Sequence, residues 1–523
     1  MALLTPANRR FLTAVSKLQD ANPFLPEEML VYERDALGDQ MSHEESIWSM
    51  TVSDPDRVRT NTWKIIDRLK PLLSSLRATL ALSAGVAEAD LLLYEDALLY
   101  YFYYRFYPQM LAATFTGQSK DRSRWAFYSE FSNEWKHFFA IPGVTLPTGH
   151  LAKHTFACYY QIVRAFHHIF EQIIGGSNPA ARLRASIWQS VFTHDIRRYR
   201  RTLYTRMNEF ATLVTGPSGT GKELVARSIA MSRYVPFDEA RLSFQEELKG
   251  LFFPINIAAL PSQLVESELF GHKRGSFTGA VQDKRGWLEE CPSLGAVFLD
   301  EIGDLDPQVQ VKLLRVIETR NFHSLGESNA QAHRFEGKLI AATNRNLGLE
   351  IRKGRFREDF YYRLCSDQII TPSLRNQLDE SPAVMHDLVL FMSQRVAGEE
   401  AQTLAPQAED WIQKHIDPTY EWPGNYRELE QCVRNILIRK EYQPSRLAKS
   451  PASRDLFKDA RSGGLTAGEL LIRYCTLVYS LTGSYEETSR RLELDRRTVK
   501  AKVDRDLLKT LRSTKPPAPK HPD

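Results

Sequence analysis

The octapeptide GPSGTGKE at residues 216–223 sets three glycines and a lysine directly after the apolar run 211–215 and directly before a helical pattern. That is the context of a phosphate-binding P-loop. Gly216, Gly219 and Gly221 let backbone N–H groups turn inward on phosphates, and Pro217, Ser218 and Thr220 complete the loop. The helix N-terminus adds its dipole and Lys222 reaches the outer phosphates. Glu223 stands where the general pattern has Ser or Thr, so magnesium must lean more on Asp300 and water. A second stretch, AVFLDEIGD, reads as a buried strand ending in two carboxylates. A parallel sheet puts such an end beside the P-loop, with Asp300 suited to the magnesium shell and Glu301 to orienting and deprotonating water. A third strand, KLIAATNRN, ends in Thr343 and Asn344, whose amide could sense the γ-phosphate or hold that water. The three strand ends together predict hydrolysis of a nucleotide with Mg2+.

These residues need a scaffold. Short apolar runs followed by glycines and helical stretches after residue 210 predict an α/β domain with a parallel sheet. Before it, helical patterning fills residues 56–205. Within that region Ala152, Phe156, Tyr159, Val163, Phe166, Phe170 and Ile173 recur at three- and four-residue steps, and Gly175-Gly176 supplies the stop of a core-facing helix. His154, His167 and His168 lack a carboxylate pattern nearby and read as packing or surface histidines rather than metal ligands. The basic segment 193–210 reads as a connector in the form of a solvated, interface-facing helix. The predicted organisation is a helical regulatory or sensory domain (1–205), an α/β ATPase core (206–372), a helical lid (373–444), a Pro/Ser-rich linker (445–463) and an all-α unit with a disordered tail (464–523).

Composition narrows the function classes. A chain of 523 residues exceeds one core at about 100 to 200 residues per domain. A net charge of +4 is too small to mark the whole protein as a polyanion binder, so a nucleic-acid surface must be local. Five scattered cysteines without a CxxC pair fit free thiols in a reducing cytosol. The greasiest run, residues 91–111, is broken by Glu95, Asp96, Arg105 and Pro108, and predicts a buried aromatic helix rather than a membrane span. Arg9 and Arg10 fall where an export signal would have its apolar core, so a cytoplasmic location without membrane attachment is expected.

The stretches GPSGTGKELVARSIA, ESELFGHKRGSFTGA, GAVFLDEIGDL, VKLLRVIE, AATNRN, FREDFYYRL and WPGNYRELE together resemble the AAA+ domain of the sigma-54-dependent bacterial transcription activators, the enhancer-binding proteins. The resemblance covers about residues 206–444, and a Fis-like C-terminus extends it to about 514. It implies that Gly275, Ser276, Phe277, Thr278, Gly279 and Ala280 form a loop projecting toward the pore of a ring and touching the sigma factor. Phe277 and Thr278 would be the contacts, with Ser276 replacing the family's usual alanine. It also implies that Arg357 and Arg363 are arginine fingers for a neighbouring subunit, a role suited to a fixed planar charge. Arg427 resembles the lid arginine that reports nucleotide state. Asn256 matches the position that holds the catalytic glutamate away from water. The run after the fingers keeps Pro372, Leu374 and Arg375 of the family pattern but has Ser373 and Gln377 where it differs.

The C-terminal stretch GSYEETSRRLELDRRTVKAKVDR reads as a helix over 485–492, a turn over 493–495 and a recognition helix over 496–505. Leu492, Val499 and Val503 face inward, leaving Arg496, Arg497, Thr498, Lys500 and Lys502 for double-stranded DNA. The leading expectation is an ATP-driven activator that binds upstream DNA, assembles from dimers into a hexameric ring and remodels the closed complex of sigma-54 RNA polymerase holoenzyme. The alternative is a DNA-binding regulator that keeps the AAA+ scaffold and acts without sigma-54. By position, the first 205 residues gate ring assembly.

Overall fold

The computed structural model describes residues 3–42, 59–82, 85–116, 122–149, 151–244, 251–327, 332–444, 465–504 and 507–508. The expected linker at 445–463 and the tail lie outside them. The chain divides into one unit of residues 1–410 and 424–437 and another of 411–423 and 438–523.

The first unit begins with helices α1 (Pro6–Asp20), α2 (Pro26–Leu37), α3 (Thr60–Leu82), α4 (Glu88–Thr116), α5 (Tyr128–Phe139), α6 (Ala152–Gln172) and α7 (Asn178–Phe192). Thr5 and Ser177 cap α1 and α7 through their hydroxyls, each with proline in the first turn. The aromatic run becomes α4, whose Phe102 and Phe106 pack edge-on with Phe131 in a core dominated by rings. No helix among the described residues is long and apolar enough to cross a membrane.

Helix α6 buries more than the single face its periodicity predicts. Phe156, Tyr159 and Val163 enter the aromatic core, while Ala165, Ile169 and Ile173 enter a second core shared with the nucleotide-binding sheet. The segment 193–210 is helical over 196–203, as expected, but less solvated than expected. A short helical turn, α8 (Ile196–Arg198), runs into a π-helical turn at Tyr199–Leu203 that buries Tyr199 and Arg200. Arg197 pairs with the buried Asp96 and Tyr199 donates to Gln161 at 2.8 Å, so specific partners rather than solvent take up this basic stretch.

The strands follow as β1 (Thr212–Thr215), β2 (Phe237–Asp238), β3 (Ser243–Phe244), β4 (Phe252–Asn256), β5 (Ala296–Asp300), β6 (Asn321–Phe322), β7 (His333–Arg334), β8 (Lys338–Thr343) and β9 (Asp367–Ile370). Five form a parallel sheet in the order β4-β5-β8-β1-β9. Both faces are covered, so the inner strands read as continuous apolar runs. Val297, Leu299, Leu339 and Ala341 face one core, and Ala296, Phe298, Ile340 and Ala342 face the other. Each fully buried aliphatic or aromatic side chain contributes about 1.5–3 kcal/mol. Around the sheet lie α9 (Lys222–Met231), α10 (Ser262–Phe270), α11 (Trp287–Glu290), α12 (Pro307–Thr319), α13 (Leu347–Arg352) and α14 (Glu358–Leu364). Helices α15 (Leu374–Glu380), α16 (Val384–Ala397), α17 (Ala401–His415) and α18 (Asn425–Arg439) follow.

The second unit holds helices Ala467–Thr482, Tyr485–Leu492 and Arg496–Lys502. A capping box of Thr466 and Glu469 starts the first, and Val499 is fully buried among the three.

Candidate nucleotide site

Parallel strands bring their C-terminal ends to one edge of the sheet, and register aligns them. Asn256 pairs with Asp300, and Thr215 with Thr343. The P-loop leaves β1 with Gly216 N–H donating to the Thr343 carbonyl at 3.3 Å and enters α9 at Lys222. Gly219 has φ 76°, and a Cβ there would strike the carbonyl of Gly424, so only glycine fits between the loop and α18. The Lys222 ammonium donates to the carbonyls of Gly216 and Pro217, both at 3.1 Å. Burial lowers its pKa, opposed by the carboxylates of Glu301 and Asp300. Burial also raises the Asp300 pKa, against the Glu301 N–H and Lys222 that favour its charged form.

Glu301 sits in the left-handed region at φ 55°. A non-glycine residue there stores about 1–3 kcal/mol of strain, which other contacts must hold. The Asn344 N–H supplies one, donating to the Glu301 carboxylate at 3.2 Å. Glu223 pairs with Arg227 at 3.1 Å one helical turn on. Asp300, at the end of β5 and facing the cavity, is the carboxylate placed to meet a cation there.

The lid residues close over this edge. Asn425 donates to the Ser218 carbonyl at 2.8 Å and accepts from Leu374 N–H at 2.8 Å, while the Tyr426 N–H donates to Gly219 O at 3.1 Å. Together with the P-loop these residues enclose a cavity of 640 Å³ into which Lys222, Asp300, Glu301, Asn256 and Arg427 all project. Two contributions were not legible as site residues in the sequence. Ile173 and Ile174 from the α6–α7 connection and Leu183 from α7 form an apolar wall. The paired isoleucines before Gly175-Gly176 were the available signal, read only as the end of a helix. Arg395 and Arg227 add cationic side chains to the same cavity.

The cavity fits the cofactors expected from the sequence: an apolar wall on one side, and a lysine, inward-turned loop amides and a desolvated carboxylate on the other. Residues 190–370 match the family model described as the sigma-54 interaction domain. The chain is 36% identical over 305 residues to the transcriptional regulatory protein ZraR of Escherichia coli K12, covering 57% of this chain and 64% of that one. To the Nif-specific regulatory protein of Azotobacter vinelandii it is 39% identical over 231 residues, 44% of this chain and 40% of the other. The chain thus spans between two fifths and just under two thirds of these curated relatives. A solved structure of NtrX from Brucella abortus is 24% identical, with 68% of this chain and 73% of that one aligned at a TM-score of 0.38, too low to carry an argument about arrangement.

Other residues singled out in the matched stretch lie apart from the nucleotide cavity. Arg357 pairs with Asp359 at 2.7 Å, and Arg363 with Glu318 at 3.1 Å, all four side chains being more than two-fifths exposed. The stretch 275–280 is a closed hairpin. Gly275 N–H donates to Ala280 O at 2.9 Å and Ala280 N–H to Phe277 O at 3.0 Å, which leaves Thr278 and Gly279 exposed at the tip. Half-buried Phe277 packs edge-on against the ring of His272 at 5.0 Å. Ser276 lies under Gly326 with its hydroxyl buried and unpartnered.

The two departures in the lid have defined places. Ser373 caps α15, accepting from Asn376 N–H at 3.1 Å. Gln377 is buried, accepts from Ser177 at 3.1 Å and donates to the Tyr426 hydroxyl. In the second unit the Arg496, Arg497, Thr498 and Lys500 side chains are exposed and Lys502 is half-buried. Arg496 pairs with Glu486 at 3.0 Å, and the Arg497 N–H is held by the Asp495 cap.

Proposed function

We propose that this protein is an ATP-dependent transcription activator that binds upstream DNA, assembles into a ring and remodels the sigma-54 RNA polymerase closed complex. The observation that carries the reading is the convergence of Lys222, Asp300, Glu301 and Arg427 on one cavity within a sigma-54 interaction domain. Bound ATP would supply the phosphoanhydride and magnesium the charge that screens it. The chain's own residues do the rest. Loop amides from Ser218 to Gly221 and the α9 N-terminus orient the phosphates, and Lys222 exchanges its loop carbonyls for phosphate oxygens. Asp300 holds the cation shell. Glu301, held by the Asn344 N–H, takes a proton from water at its carboxylate oxygen.

Arg357 and Arg363, exposed and paired with carboxylates of their own chain, would add a fixed planar charge to a neighbouring subunit's site. The 275–280 hairpin offers Thr278 at its tip to the sigma factor, and the basic side chains around Thr498 take DNA phosphates. One of the relatives is named a DNA-binding transcriptional regulator.

A second reading, a DNA-binding regulator independent of sigma-54, draws on the packing of Phe277 against His272, which is what a merely local anchor would do. The deciding experiment is binding of the purified protein to sigma-54 with ADP and aluminium fluoride, comparing wild type with Thr278→Ala. A nucleotide-dependent complex lost in the variant supports the activator. No complex from a protein with ATPase activity supports the second reading.

A further inference from the structure

The helical domain contains a second cavity, remote in character from the nucleotide site. Its volume is 180 Å³, and helices α1, α2, α3, α4, α6, α7 and α8 wall it together with the turn at Tyr199–Leu203. It is open to the surface on one side, so a solute can reach it from solvent. Cavities of about 150 Å³ with apolar linings take up benzene. This one is not purely apolar.

Its wall is a bank of tyrosines. Tyr100, Tyr103, Tyr104 and Tyr107 come from successive turns of α4 and Tyr159 from α6. Tyr103 and Tyr159 meet edge-on at 5.4 Å, and Tyr100 and Tyr104 lie 4.9 Å apart. Burial raises the Tyr100, Tyr103 and Tyr104 hydroxyls above their ordinary range, so they are neutral donors. Such a wall offers ring faces, ring edges and a few O–H groups, the surface that receives an aromatic ring.

At one end stands Arg200, only 4% exposed. Its Nη2 donates to the side-chain oxygen of Gln19 at 2.9 Å, a neutral acceptor. Its Nε–H is buried and meets no acceptor. Arg200 has no carboxylate at ion-pair distance among the described residues, whereas the other cavity arginine, Arg59, pairs with Glu33 at 3.0 Å. An uncompensated buried guanidinium is costly, and its planar fork is the group best matched to a carboxylate.

We propose that this cavity binds a small aromatic monocarboxylate, its ring among the α4 tyrosines and its carboxylate on Arg200. One ring with a short acidic arm fits the volume. The occupant would touch Trp188 and Ile196 as well as Arg200, all on the segment that runs from α7 into β1.

The test is isothermal titration calorimetry on the full chain without nucleotide. The probes are benzoate, 4-hydroxybenzoate and phenylacetate, with benzamide as neutral counterpart and inorganic phosphate as an anion without a ring. The expected result is one-to-one binding of at least one acid, about tenfold or more tighter than benzamide. Arg200→Gln should erase that difference while its far-UV spectrum and melting temperature stay near wild type. Ile162→Phe, which fills the cavity and leaves Arg200 in place, should abolish binding and serves if the arginine variant does not fold. Three outcomes overturn the proposal: none of the acids binding at roughly millimolar concentration, benzamide or phosphate binding as tightly as the acids, or undiminished binding in Ile162→Phe.

Discussion

The nucleotide cavity and the 275–280 hairpin are both built on glycines, yet they differ in what they do with their polar groups. In the cavity, Lys222 rests on loop carbonyls, Asp300 is desolvated and Glu301 is held in a strained backbone by one N–H. Each is poised for something not present in the chain. The hairpin closes on its own backbone and packs Phe277 on His272, and the exposed Arg357 and Arg363 close on their own carboxylates. Groups that are buried and underpaired belong to a site for small charged ligands. Exposed groups paired weakly within the chain can exchange those pairs for a partner at little cost, since an exposed ion pair contributes about 0–1 kcal/mol.

The sharpest test of this contrast is to separate binding from turnover. Lys222→Ala is expected to lose nucleotide binding outright, measured with a fluorescent ATP analogue. Glu301→Gln should bind nucleotide as wild type does and lose about a hundredfold or more in ATPase rate. Equal loss of binding in both variants would break the division of labour assigned to the two strand ends.

Arg357→Ala and Arg363→Ala come next. Nucleotide affinity should hold while ATPase falls by about a hundredfold or more. Mixing Arg363→Ala with Glu301→Gln subunits should restore activity, because interfaces then exist that join an intact Glu301 to an intact Arg363. Unchanged ATPase in both arginine variants would make these side chains surface ion pairs and no more.

How far the sequence carried this picture follows from the same contrast. The glycines, the lysine and the paired acids at strand ends were legible because their chemistry needs fixed spacings. The parallel sheet was legible because strands buried on both faces read as unbroken apolar runs. The wall of Ile173, Ile174 and Leu183 was not, since an isoleucine lining a ligand cavity has the same signature as one in a core. Nor was the double burial of α6, for a helix between two cores shows the periodicity of either one. Arg200 was hidden inside a basic stretch whose ordinary reading is solvent exposure, and only the π-helical turn at 199–203 takes it inside.

Gln377 tests the seam between these regions. It joins Ser177, before α7, to Tyr426 beside the P-loop, all within the first unit. Gln377→Leu keeps the volume and strands a buried hydroxyl at each end, at a cost of about 1–3 kcal/mol. The expected reading is a nucleotide affinity weakened by about tenfold, with Gln377→Glu partly restoring it. An affinity identical to wild type would confine the contact to local packing.

The helical domain should also respond to acid through His168. Burial, with Arg164 and His167 adding to it, lowers the His168 pKa from 6.5 to about 4. The fold therefore favours neutral imidazole, and this contribution is fully present above pH 6.5 and lost as pH falls toward 4. Melting temperature should drop across that window, and His168→Gln should flatten the drop. An unchanged slope in the variant would place the acid sensitivity elsewhere.

The smallest effect belongs to the hairpin. Ser276 buries a hydroxyl with no partner beneath Gly326, and a buried unpaired hydroxyl costs about 1–3 kcal/mol. Ser276→Ala should raise the melting temperature by a few degrees at most, because exposed neighbours can relax around the site. The informative part is what accompanies it. If the hairpin merely anchors itself, added stability leaves ATPase and sigma-54 binding untouched. If it must open toward a partner, a better-packed closed form holds the hairpin shut, and sigma-54 binding weakens in step with the stability gained. Measuring both in one variant separates a loop that is finished in the chain from one that is waiting for its partner.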